Sequence, residues 1–185
     1  ITSPLIEIKK VSRSDNSFFI NGQVLNKNKK FDIEELKPIF SNLFDNIDLQ
    51  EIEFASKNNF SFKIDKDLKF KNFKVQSIVN LNLLSLNKKN LKFKSYLPSL
   101  LEEIKFKNHE INIDYEKNKF DIRGYGQILL EDKIDTISYK IINKKNNFLF
   151  DSKIKLKNNS LLLDFLNYEK KENLKSLISI KGNFI

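Results

Sequence analysis

The sequence predicts an all-β chain with a few short helices, built as a long antiparallel meander curved into an open trough with an apolar interior. Apolar and polar residues alternate with period two over many stretches, the pattern of a strand with one buried and one wet face. Short polar runs separate those stretches, of a length that joins neighbouring antiparallel strands. The 4 glycines of the chain all fall inside alternating stretches rather than between them.

Phe18 to Val24 opens the series, with Phe18, Ile20, Gly22 and Val24 on one side. Phe60 to Ile64 follows, then Phe73 to Leu83 on odd positions and Leu91 to Ser95. Ile104 and Phe106 alternate on even positions but Ile111 to Tyr115 on odd ones, so Lys107 to Glu110 reads as a bulge or tight turn. Next, Phe120, Ile122, Gly124, Gly126, Ile128 and Leu130 share one side, against Asp121, Arg123, Tyr125, Gln127 and Leu129. Phe148, Phe150, Ser152, Ile154 and Leu156 then face away from Leu149, Asp151, Lys153, Lys155 and Lys157, which makes a half-buried strand. From Leu174 the even positions include Ile178, Ile180, Gly182 and Phe184. Turns are expected at Asn26 to Lys29, Asn87 to Asn90, Glu116 to Lys119 and Asn143 to Asn146. Short helices are expected near Pro38 to Asp45, at Pro98 to Glu103, and at Ser160 to Leu166, where Ser160 is a suitable N-cap.

At 185 residues the chain reads as one segment, 1–185, of a larger repetitive protein, with possible sub-units 1–103 and 104–185. It starts at Ile1 and contains no Met, so the natural start and anything encoded near it are expected to lie outside the fragment, and these residues carry no reading of targeting. No apolar run approaches the ~18 residues that cross a bilayer. The net charge of +9 invites a nucleic-acid reading, but of 33 basic residues only Arg13 and Arg123 are arginine. Nucleic-acid readers rely on arginine for bidentate contacts, and here Lys is abundant alongside Asn, Ile and Phe, all encoded by AT-rich codons. The basic balance therefore carries little functional weight, and no nucleic-acid partner is expected.

Chemistry is sparse. The absence of Cys excludes disulfides, thiolate metal sites and a cysteine nucleophile. His109 is the one histidine and sits in a polar context, so it reads as a turn or surface residue. The acidic pairs Glu34-Glu35, Glu102-Glu103 and Glu131-Asp132 are sequence neighbours, which a strand sends to opposite faces. No phosphate-binding loop, nucleophile elbow or metal-binding His pair is present. The expectation is a non-enzyme with no catalytic residue, no metal and no cofactor. In Leu91-Lys92-Phe93-Lys94 and Ile104-Lys105-Phe106-Lys107 the apolar and basic residues fall on opposite faces. A base-stacking platform needs both on the same face, whereas a greasy groove needs them apart.

An apolar-x-Ile-x-Gly pattern recurs at Phe18 to Gly22, Phe120 to Gly124 and Ile178 to Gly182. Glycine weakens a strand interior, so its placement there marks either a close approach to the backbone or a bulge and local twist. The order Phe120-x-Ile122-x-Gly124-x-Gly126, then Ile137-x-Tyr139-x-Ile141, then Phe148 to Leu156, a leucine-rich Leu161 to Leu166, and Ile178-x-Ile180-x-Gly182-x-Phe184 resembles the AsmA-like superfamily. It is most similar to the repeated domain of YhdP-type members, over roughly Lys105 to Ile185. The resemblance implies a curved sheet with a hydrophobic interior that carries phospholipid between inner and outer membranes. It further implies a periplasmic location, with membrane anchoring by regions outside this fragment.

On that reading acyl chains contact Phe18, Ile20, Gly22, Val24, Phe120, Ile122, Gly124, Gly126, Ile128, Leu130, Phe148, Phe150, Ile154, Leu156, Ile178, Ile180, Gly182 and Phe184. Burying a chain of about sixteen carbons gains on the order of 10 kcal/mol at ~0.8 kcal/mol per methylene. About ten strands at ~4.8 Å spacing extend the sheet to roughly 50 Å, one section of a longer conduit. The alternative is a closed barrel or a sandwich whose apolar face is core, a structural or interaction module with no ligand.

Overall fold

Alternating segments of 10 to 18 residues fold back on one another in chain order in the computed structural model. They form β1 (Leu5–Ser14), β2 (Ser17–Phe31), β3 (Leu49–Ile64), β4 (Phe70–Asn87), β5 (Glu103–Glu116), β6 (Lys119–Leu129), β7 (Ile134–Lys144) and β8 (Asn147–Leu156). A small antiparallel hairpin follows, β9 (Leu161–Leu163) and β10 (Tyr168–Lys170), before β11 (Ser176–Phe184) returns to pair with β8. The structure describes residues 5–14, 17–32, 34, 49–87, 103–117, 119–130, 133–144 and 147–184.

The main sheet has nine strands in the order β1-β2-β3-β4-β5-β6-β7-β8-β11, antiparallel throughout. Its edges, β1 and β11, do not pair with each other, so the sheet is open and not a barrel. Among the described residues the second sheet is the two-stranded hairpin, which is too small to make a sandwich. β4 and β5 pair in constant register from Lys74↔Glu116 to Asn87↔Glu103, so the sheet runs unbroken across the 103/104 boundary.

Register fixes which residues share a face. One row runs Val24↔Asn58↔Ser77↔Ile113↔Ile122↔Ile141↔Phe150↔Gly182 from β2 to β11. This inner face changes phase where bulges intervene. In β5 it passes from Phe106 to His109 across Asn108, which adopts φ 52°, and the pairing with β6 shifts between Lys107 and Glu110. The expected bulge is therefore present. In β4 the inner face passes from Leu81 to Leu84, and in β2 from Asn26 to Lys29. Bulges bend the strand that carries them, which is how an antiparallel sheet acquires curvature.

Three expectations need correction. Asn26 to Lys29 is not a turn but the bulge within the continuous β2. Ser160 caps no α-helix: Leu161–Leu163 is strand, and only Asp164–Leu166 forms a single 3-10 turn, with no side-chain cap. As a strand, Leu161 and Leu163 both turn back against the sheet, and three residues are too few for a helical face. His109, expected at the surface, is 2% exposed on the inner face. The helix at Pro38 to Asp45, residues 98–102 and the strand Leu91 to Ser95 lie outside the described residues, as do Glu35, Glu102, Glu131 and Asp132. Glu103 begins β5, pairs with Lys105 at 2.7 Å and accepts the Ser85 hydroxyl.

The outer face is mixed rather than purely basic. Lys74–Glu116 at 2.8 Å and Lys181–Asp151 at 3.2 Å are directly opposed cross-strand pairs, and Arg123 clasps Asp121 at 2.7 Å. The best-packed core lies on the inner face, where Ile104, Ile128, Leu130, Ile137, Leu156 and Leu161 are all buried.

Candidate functional site

Strands β2, β4, β6 and β8 all end on the side of the sheet where the hairpin sits, and short turns close the other side. The hairpin is tied down by a buried polar knot. Asp135, 3% exposed, accepts the backbone N–H groups of Lys157, Asn158 and Asn159 at 2.7, 3.0 and 3.1 Å, and the Asn159 side-chain amide at 2.7 Å. Lys170 of β10, 2% exposed, donates to the carbonyls of Lys157 and Asn159. A carboxylate holding four donors and an ammonium holding two carbonyls fix both ends of the hairpin against β7 and β8.

Beneath the hairpin lies a cavity of about 520 Å³ lined by Leu86, Ile104, Phe106, Ile128, Leu130, Ile137, Ile154, Leu156, Leu161, Leu163, Phe165, Ile178 and Ile180. Every lining side chain is apolar. Strands from β4 to β11 share this one cavity, so the inner face is concave there. Away from the hairpin, no described element lies over the inner face. Phe120, Ile122, Ile141, Phe148 and Phe150 are half-buried, and the Phe120 and Phe148 rings lie 5.8 Å apart.

All eighteen residues expected to line a groove register to this inner face. The cavity gathers Ile128, Leu130, Ile154, Leu156, Ile178 and Ile180. Phe120, Ile122, Phe148 and Phe150 continue it along the strands, with Phe184 paired to Phe148. Beside Val24 the inner face is polar, with Asn26, Ser56, Asn58 and Ser77, whereas nearer the short turns Ile20 and Gly22 pair with Phe62 and Phe60, and the face continues through Val75 and Tyr115 to Phe120. Asn58 donates to the Val24 carbonyl at 3.2 Å and to Ser56 at 3.0 Å, and Asn26 donates to the Phe54 carbonyl at 3.2 Å. Sequence reasoning missed Leu86, Ile104, Phe106, Ile137, Leu161, Leu163 and Phe165 as cavity residues; Leu161 and Leu163 were hidden by the helical reading of their segment.

The glycines have a common cause. A methyl group built on Gly124 would lie 2.2 Å from the Tyr139 ring, on Gly126 2.2 Å from the His109 ring, on Gly182 2.4 Å from Phe150 and on Gly22 2.2 Å from Phe60. Each glycine is a floor on which an aromatic ring from the neighbouring strand lies flat. The expected close approach is thus made by the protein's own rings, none of the glycines having positive φ.

Two of those rings put titratable groups in the groove floor. His109 Nε2 lies 2.9 Å from the Gln127 carbonyl and so carries the proton that bonds it, while Nδ1 faces the Tyr139 hydroxyl at 3.4 Å. Burial holds the His109 imidazole below its ordinary 6.5 and pushes the Tyr139 phenol up to about 12. Both are uncharged at neutral pH. Among the described residues no cluster of His, Asp and Glu is placed to hold a metal, and no described helix is long and apolar enough to cross a membrane. No family model, curated protein or solved structure matches this chain.

Proposed function

We propose that this chain is a non-enzymatic, lipid-binding section of a β-groove protein of the AsmA-like kind, one that moves phospholipid between the inner and outer membranes of a cell envelope. The observation that carries the reading is the inner face of β4–β11: an all-apolar cavity under the hairpin that continues into uncovered aromatic and aliphatic rows. Soluble surfaces rarely leave so large an apolar area open without a ligand. Phe148 and Leu156 lie eight residue steps apart along β8, roughly 26 Å at ~3.3 Å per step, enough for an acyl chain lying lengthwise. A chain moving sideways from strand to strand meets a similar surface at each step, so no nucleotide site or catalytic group is needed here.

Photocrosslinking in cells tests this directly. A photoreactive residue in place of Phe150, on the inner face, is expected to capture labelled lipid, and one in place of Lys153, on the outer face, is not. Equal capture, or none at either position, contradicts the reading.

A further inference from the structure

The short-turn rim, opposite the hairpin, carries chemistry that the groove reading leaves unused. Here the inner face is aromatic: Phe62 and Phe70 lie with ring centroids 5.2 Å apart, Phe73 and Tyr115 6.0 Å, and Phe120 and Phe148 5.8 Å. These rings come from β3, β4, β5, β6 and β8 at one level of the sheet. Several are barely covered, with Phe70 71% and Phe73 45% exposed. The β3–β4 turn extends the row. Asp65 accepts the N–H groups of Asp67 and Lys69 at 3.0 and 2.9 Å and so fixes the loop, and Leu68 sits at φ 60° with 78% of its surface in solvent. A leucine in the left-handed region is strained, and asparagine or glycine is the ordinary occupant. The turn thus holds an apolar side chain outward at a conformational cost.

Around these apolar groups stand exposed lysines, Lys66, Lys69, Lys71, Lys74, Lys117 and Lys119. Acids share this end among the described residues: Asp65 holds Lys71 at 2.7 Å, Glu116 holds Lys74 at 2.8 Å, Asp67 is exposed, and Asp114 and Asp121 stand opposite each other beside Tyr115 and Phe120, with Arg123 on Asp121. Rings at one level with lysines just beyond them match the interfacial layer of a bilayer, where aromatic rings sit among the headgroups and ammonium groups reach anionic phosphates. A protein partner would favour a flat, rigid patch, whereas this is a narrow rim of protruding side chains.

We infer that the short-turn rim docks on an anionic membrane surface, with Leu68, Phe70 and Phe73 entering the headgroup layer and the lysines engaging phosphates. The inner face then opens toward the leaflet at its aromatic rim, with the hairpin-covered cavity at its far end. What passes along it rests on the groove reading; the docking does not.

The chain contains no Trp, so one introduced Trp is an unambiguous probe. Phe70→Trp and Leu177→Trp place it at two well-exposed positions, 71% and 60%, at opposite ends of the sheet, the second on the outer face and away from the cavity. With vesicles of equal parts phosphatidylcholine and phosphatidylglycerol, some brominated on their acyl chains, Phe70→Trp is expected to shift to shorter emission wavelength and be quenched. Leu177→Trp is expected to do neither. Reversing two charges, Lys66→Glu with Lys69→Glu, is expected to weaken vesicle binding about tenfold or more, circular dichroism confirming the fold. Like responses from both Trp positions, or none from either, overturn the inference, as does vesicle binding unchanged by the charge reversal. A failure of the groove reading alone would appear as lost lipid capture at position 150 with the Trp result intact.

Discussion

Tyr139 lies across Gly124 closely enough that a single added methyl cannot fit without moving the ring. Gly124→Ala is therefore expected to destabilise the fold by about 1–3 kcal/mol, the usual range for overpacking. The double variant Gly124→Ala with Tyr139→Ala should lose less than the sum of the two single variants, which denaturant melts can measure as a coupling energy. Additive losses would mean that the ring and the glycine are independent. His109 sets a pH dependence of known sign. Because burial lowers its folded-state pKa below the unfolded 6.5, the folded chain binds fewer protons. The stabilisation from a neutral His109 is complete above pH 6.5 and is lost as pH falls through the folded value. Melting temperature should drop between pH 7 and 5 more in the native chain than in His109→Phe, and an equal drop in both would remove His109 as the cause. The sequence placed every glycine on the correct face, since period-two alternation decides faces. It gave no sign that rings would occupy the space above them, because that depends on which residues the register sets opposite one another.

At the scale of elements, the hairpin is held less by its own two short strands than by Asp135 and Lys170. Asp135→Ala leaves three backbone N–H groups of residues 157–159 without their acceptor in a buried site, at a cost of about 2–4 kcal/mol. Hydrogen exchange should quicken first in residues 157–170 while β5 to β7 stay protected. Uniform loss of protection would show that the hairpin is not a separable element. Long strands with unbroken alternation, such as β6 and β8, were legible because both faces are patterned over ten residues or more. β1 and the first half of β3 were not, since Leu5 to Ser14 mixes charges into both faces and the uncharged face of Leu49 to Asn59 is itself mostly polar, with Gln50, Ser56 and Asn58 around Ile52 and Phe54. The leucine run 161–163 misled because a short apolar run has no period, and only the knot at Asp135 shows that it lies as a strand over the sheet.

Across the whole molecule, one antiparallel sheet has an aromatic, lysine-edged rim at one end, a hairpin-covered cavity at the other and an uncovered apolar face between them. The central claim is that acyl chains occupy that inner face and not the outer one. Isoleucines report on both: Ile128, Ile137, Ile154 and Ile178 line the cavity, while Ile78 and Ile142 point the other way by register. With isoleucine methyls labelled and a lysophospholipid added, intermolecular nuclear Overhauser contacts from the acyl methylenes are predicted to Ile128, Ile137, Ile154 and Ile178 and to neither Ile78 nor Ile142. Contacts of equal strength on both faces, or none to the four cavity isoleucines, would contradict the account.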